Sequence, residues 1–68
     1  MDEIKINTDI IKLDSFLKWC GAVSQGYEAK LFIKDGMVKV NGEVEKRRGR
    51  KLFKGYTVEF EEKIYIII

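Results

Sequence analysis

Histidine and proline are both missing from the chain, and cysteine occurs once. Without histidine the usual general base and the commonest metal ligand are gone. The lone Cys20 can form neither an intrachain disulfide nor a thiolate cage for zinc, and a reducing cytoplasm is the expected setting. With no proline, low-complexity tract or internal repeat there is no recognisable linker, so residues 1–68 are expected to form one domain. No glycine-rich segment ends in Gly-Lys-Ser/Thr, so nucleotide binding of that kind has no support. No apolar run approaches the ~20 residues that cross a bilayer. The opening Met1-Asp2-Glu3-Ile4-Lys5 is acidic and alternating, unlike a secretion signal, so no membrane partner is expected. In 68 residues a core and a closed active site compete for the same material. The expectation is a protein that is not an enzyme, with no catalytic residue, metal, cofactor or small-molecule substrate.

What is present is a chain 46% hydrophobic and 35% charged, the composition of a folded protein. The net charge is only +2, but it is unevenly placed. Lys46, Arg47, Arg48, Arg50, Lys51 and Lys54 are six of the thirteen basic residues, and no acid stands between Lys46 and Val58. Acids elsewhere nearly cancel the total. A charge that is balanced overall but locally focused suggests a directed contact with an anion.

The periodicities predict an α+β fold, with two short packed helices against a small, mostly antiparallel sheet. Leu13, Phe16, Leu17 and Cys20 repeat at helical spacing, which predicts a helix over residues 12–20 with Gly21 as its stop. Thr8 or Asp9 is the expected cap. Ala29, Phe32 and Ile33 predict a second helix over 26–35, ended by Gly36, with Lys30 and Lys34 on its outer face. Residues 3–6 and 37–40 alternate as strands, Asn41-Gly42 is a hairpin signal, and Glu43-Val44-Glu45 returns. Tyr56, Val58 and Phe60 alternate again, and Glu61-Glu62-Lys63 reads as a turn. The nearly continuous apolar run Ile64–Ile68 suggests a last strand, either buried on both faces or left at an unprotected edge, with pairing to the first strand favoured.

Five like charges among residues 46–51 repel one another, and a bound anion would relieve that cost. Arginine suits phosphate because its planar fork donates two hydrogen bonds at once. Neutralising Arg47, Arg48 and Arg50 together is therefore expected to weaken anion binding and leave the fold intact. Trp19, Tyr27, Phe53 and Tyr56 can be stacking platforms for bases, but in so small a chain partial burial in the core is the favoured reading. Cys20, on the apolar stripe, reads as a packed residue rather than a nucleophile.

Lys12-Leu13-Asp14-Ser15-Phe16-Leu17 resembles the Arg-Leu-Asp-x-x-Leu opening of the S-four RNA-binding domain, named after the fourth protein of the small ribosomal subunit. The resemblance continues through Glu28-Ala29 and Leu31-Phe32-Ile33-Lys34-Asp35-Gly36 to Val38-Lys39-Val40-Asn41-Gly42, and it covers about residues 12–60. Lys12 stands where the family has arginine, Gln25-Gly26 replaces a Ser-Arg pair, and Gly55-Tyr56 replaces Gly-Asp. The stretch Asn41–Leu52 is similar to the small stand-alone YaaA/YbcJ-type bacterial proteins. The resemblance implies the αL-motif fold and binding of structured RNA, with ribosomal RNA as the expected partner and an accessory role in ribosome assembly or another structured-RNA context. A monomer is expected. The RNA-binding residues expected from charge and resemblance together are Lys12, Lys18, Gln25, Tyr27, Lys30, Lys34, Lys46, Arg47, Arg48, Arg50 and Lys51. Two rival readings remain: a protein-interaction module that pairs through the apolar last strand, and a DNA-binding or nucleoid-associated module.

Overall fold

The computed structural model describes residues 1–68. In chain order the elements are β1 (Asp2–Ile4), β2 (Ile10–Lys12), α1 (Leu13–Trp19), α2 (Gly26–Lys34), β3 (Val38–Val40), β4 (Glu43–Val44), β5 (Lys51–Phe53), β6 (Thr57–Phe60) and β7 (Lys63–Ile67). The expected α+β arrangement is present. Five strands form a sheet in the order β1-β7-β6-β3-β4, and β2 and β5 form a separate two-stranded ribbon. All pairs in the sheet are antiparallel except β1 with β7, which is parallel.

The core follows the periodicities. Leu13, Phe16 and Leu17 of α1 and Ala29 and Ile33 of α2 are buried, against Val38, Val40, Val58, Phe60, Tyr65 and Ile67 on one face of the sheet. Phe32 is only half-buried, packed on the margin of this core with its ring 5.0 Å from that of Phe60. The opposite face of the sheet meets solvent.

Two hairpins show how local sequence fixes register. Asn41 and Gly42 both have positive φ (52° and 86°), the backbone of the tight turn that Asn-Gly favours, and Val40 pairs with Glu43 across it. The β6–β7 turn uses the same region without a glycine: Glu61 and Glu62 sit at φ 50° and 67°, with Phe60 opposite Lys63. Lys63 therefore begins β7 instead of ending the turn.

Several expectations need correcting. The apolar last strand is neither doubly buried nor at an edge. β7 lies between β1 and β6, so its main chain is paired on both sides, and its alternation leaves Ile64 39% exposed while Tyr65 and Ile67 are buried. Edge pairing through this strand is thereby ruled out as an interaction mode. Neither Thr8 nor Asp9 caps α1. The Thr8 hydroxyl donates to the Ile10 carbonyl at 2.7 Å, and the chain passes directly from β2 into α1 with Lys12 as the N-cap. The β2–β5 ribbon is new. Three-residue strands carry too little alternation to be read, and β5 hides inside the basic run. Its centre, Leu52, is 0% exposed.

Candidate RNA interface

The ribbon exists because of where the basic loop goes. After β4 the chain crosses α1 at its N-terminus. The amide of Leu13 donates to the Arg50 carbonyl at 2.9 Å, and that of Asp14 to the Arg48 carbonyl at 3.1 Å. The first amides of a helix lack intrahelical partners, and here the loop backbone supplies them. The Asp14 carboxylate accepts from the Ser15 amide at 2.7 Å and stands 4.0 Å from the Arg48 guanidinium, so it ties loop to helix rather than helix to helix. β5 then pairs with β2, setting Lys51 opposite Lys12. At the loop's other end, the stem of Lys46 lies over Gly36, just past the C-terminus of α2: a Cβ added to Gly36 would meet it at 3.3 Å.

The basic loop is not uncompensated, as the charge pattern had suggested. Glu45, only 8% exposed, sits behind it. Its Oε2 accepts from the Arg47 amide (3.1 Å) and Nε (3.0 Å), and its Oε1 from Arg47 Nη2 (3.1 Å) and Arg50 Nη1 (2.7 Å). These guanidinium bonds hold the Glu45 carboxyl down at about 2, well below its ordinary 4.5. Arg50 is half-buried, its guanidinium carbon 5.8 Å from the centre of the Tyr56 ring. The expectation that Arg47, Arg48 and Arg50 can be neutralised together without structural cost therefore fails, because it would strip a buried carboxylate of its three guanidinium bonds and leave it only the Arg47 amide. The signal for Glu45 lay in the alternation carried one residue past β4: Val44 turns outward, 52% exposed, and Glu45, whose amide donates to the Val38 carbonyl at 3.0 Å, turns inward.

Lys12, Lys18, Gln25, Tyr27, Lys30, Lys34, Lys46, Arg47, Arg48 and Lys51 are exposed, and Arg50 is partly so. The fold brings most of them together in one region. The loop joins Lys12 at the start of α1 through the ribbon, and Lys46 lies at the end of α2, where Lys34 occupies the last turn. Gln25 and Tyr27 stand at the other end of α2, a helix length (~12 Å) from Lys46. Tyr27, Lys30, Leu31 and Lys34 form one exposed stripe of α2, with Tyr27 63% and Leu31 57% exposed. Partial burial was the favoured reading for Tyr27 and Trp19. Both face solvent, because each lies off the buried stripe of its helix. The α2 N-terminus is occupied by its own acid: Glu28 Oε1 accepts from the Ser24 amide and hydroxyl and from the Gln25 amide at 2.9–3.2 Å, which lowers its pKa. Cys20 is half-buried, its thiol directed at the Leu17 carbonyl and its pKa raised by burial, the environment of a packed thiol.

The S4 domain family model matches residues 4–68. The chain is 45% identical over 58 residues, 85% of its length and 82% of the relative's, to the protein named "Probable ribosome maturation protein RlbA" from Bacillus subtilis (strain 168). It is 42% identical over 50 residues to YbcJ of Escherichia coli (strain K12), covering 74% of this chain and 71% of that protein. The solution structure of E. coli YbcJ, described as revealing an αL motif involved in RNA binding, superposes with a TM-score of 0.75 at 32% identity over 100% of this chain and 87% of the other. By sequence and by fold, with its two helices and the loop docked across α1, this chain belongs to the S4 domain family.

Proposed function

We propose that the protein binds structured RNA, ribosomal RNA in particular, as a non-catalytic accessory factor in ribosome assembly in the cytoplasm. The observation that carries this reading is the docking of the basic loop on the α1 N-terminus, which sets the loop's lysines and arginines beside Lys12 of the ribbon at one end and the end of α2 at the other. The names of its relatives, a ribosome maturation protein and a protein with an RNA-binding motif, point the same way. Recognition is through phosphate and shape. Lysines and arginines suit contacts to phosphates, and the narrow major groove of A-form RNA hides the base edges. Each phosphate neutralised contributes about 0.7–0.9 to the slope of log K against log salt.

The test is a salt titration of binding to a ribosomal RNA fragment, with duplex DNA as competitor. Lys46, Arg48 and Lys51 are the residues to neutralise, since they are free of Glu45. The folded triple variant is expected to lose about 2–3 from the slope. An unchanged slope, or preference for duplex DNA, would overturn the reading.

A further inference from the structure

On the outer face of α1 lies a shallow groove of about 390 Å³ lined by Ile11, Ser15, Lys18 and Trp19. Ser15, Lys18 and Trp19 recur at helical spacing on the side of α1 opposite the buried Leu13-Phe16-Leu17 stripe, and Ile11 joins them from β2. Trp19 is the chain's single tryptophan and is 52% exposed. Its indole N–H donates to the Lys5 carbonyl at 2.9 Å. That bond fixes the ring and satisfies its one polar atom, so ordering it on binding costs little further entropy. No carboxylate lines the groove. Lys18 is part of its wall, and Lys12, the N-cap residue of α1, stands seven residues, about two turns, before Trp19 on the same side. Lys12 is also the register partner of Lys51, which sets it beside the end of the basic loop.

We infer that this groove is a stacking site for an unpaired RNA base, with the indole of Trp19 as platform and Lys18 and Lys12 receiving the flanking phosphates. An apolar ring beside cations and away from acids matches a nucleotide, which joins an aromatic face to an anion at a fixed short spacing. A protein side chain would supply the first without the second. The inference rests on the RNA-binding reading and adds to it a preference for single-stranded or bulged RNA, which phosphate contacts alone do not give.

Because Trp19 is the only tryptophan, its emission reports the site directly. The probes are a short single-stranded oligoadenylate and a blunt RNA duplex of the same length. The oligoadenylate is expected to quench Trp19 and the duplex to leave it nearly unchanged. Trp19→Ala should weaken oligoadenylate binding about 5- to 150-fold, from the ~1–3 kcal/mol of one base–aromatic stack, while duplex binding, read by anisotropy of labelled RNA, stays within about twofold. Trp19→Phe, which keeps an aromatic face, should restore most of the affinity. It also serves as the folded control should Trp19→Ala melt early.

If both probes bind the parent protein but its emission does not move and Trp19→Ala and Trp19→Phe bind oligoadenylate as the parent does, the groove assignment falls and the RNA-binding reading stands. If the emission moves only with protein concentration, the groove is a contact between copies and the assignment is overturned. If neither probe nor a ribosomal RNA fragment binds, the RNA-binding reading falls and takes the groove with it.

Discussion

Glu45 has a role that its charge does not suggest. As an acid within a basic surface it should repel RNA, yet it holds Arg47 and Arg50 by three guanidinium hydrogen bonds. Glu45→Gln raises the net charge by one but releases both arginines, so weaker RNA binding is expected. Glu43→Gln, an exposed change two residues away with the same charge effect, is expected to leave binding unchanged or tighten it slightly. Charge-assisted hydrogen bonds also make Glu45→Gln destabilising by about 2–3 kcal/mol, measurable by urea unfolding. The acid limb follows from the same group. Its pKa is lower folded than unfolded, so its stabilisation is complete above about 4.5 and is lost as pH falls towards about 2. Unfolding followed across that window should lose its pH dependence in the Gln variant to the extent that Glu45 sets it. Phe60, 2% exposed, is the aromatic whose truncation should cost about 3–5 kcal/mol, whereas the half-buried Phe32 should cost less, about 1–3 kcal/mol, when changed to alanine.

Among the elements, the β6–β7 hairpin and the ribbon make the sharpest contrast. Both turn residues of the hairpin, Glu61 and Glu62, hold positive φ without being glycine. A left-handed conformation costs a residue with a Cβ roughly 1–2 kcal/mol, less for asparagine. Glu61→Asn with Glu62→Gly should therefore raise stability by about 1 kcal/mol, read as a higher urea midpoint with an unchanged slope. The ribbon depends on Leu52, which pairs with Ile11 and is fully buried. Leu52→Ala is expected to cost about 2–4 kcal/mol, and it should also loosen the basic loop from α1. On α2, charge reversal at Lys30 and Lys34 should weaken RNA binding while shifting the melting temperature by only a degree or two, since exposed single charges add little to stability. Calorimetry beside a binding titration separates the two effects.

Across the whole molecule charge is unevenly placed. Four of the eleven acids, Glu3, Glu59, Glu61 and Glu62, lie on β1, β6 and the β6–β7 turn, and five of the thirteen basic residues fall within residues 46–51. Raising salt from about 50 to about 200 mM should therefore weaken RNA binding about tenfold or more while leaving thermal stability almost unchanged, because the long-range attraction is screened and the buried core is not.

The elements with repeating patterns were readable from residue order alone. The two helices, the β3–β4 hairpin and the alternation of β6 follow from spacings of 3–4 and 2 and from Asn-Gly, all of which are local properties, whereas β7 was legible only as an apolar run whose alternation and central place the fold decided. The inner faces followed too, with Leu13, Phe16, Leu17, Ala29, Ile33, Val38, Val40, Val58 and Phe60 all buried, except that Phe32, expected with Ala29 and Ile33, is only half-buried at the core's margin. So did the basic loop as a feature, because a run of like charge is visible without a fold. Tertiary structure decided what that loop does. The β2–β5 ribbon and the capping of α1 by Arg48 and Arg50 carbonyls join residues 34 to 43 positions apart, and backbone carbonyls carry no sequence signature. Glu45 became a counterion only through its burial behind the loop, and Trp19 became a surface residue only through the docking of α1 on its other face. The physical reason is the same in each case: periodicity reports which face of an element is apolar, but which neighbour covers that face, and which polar groups are shut in behind it, is fixed only when distant segments pack together.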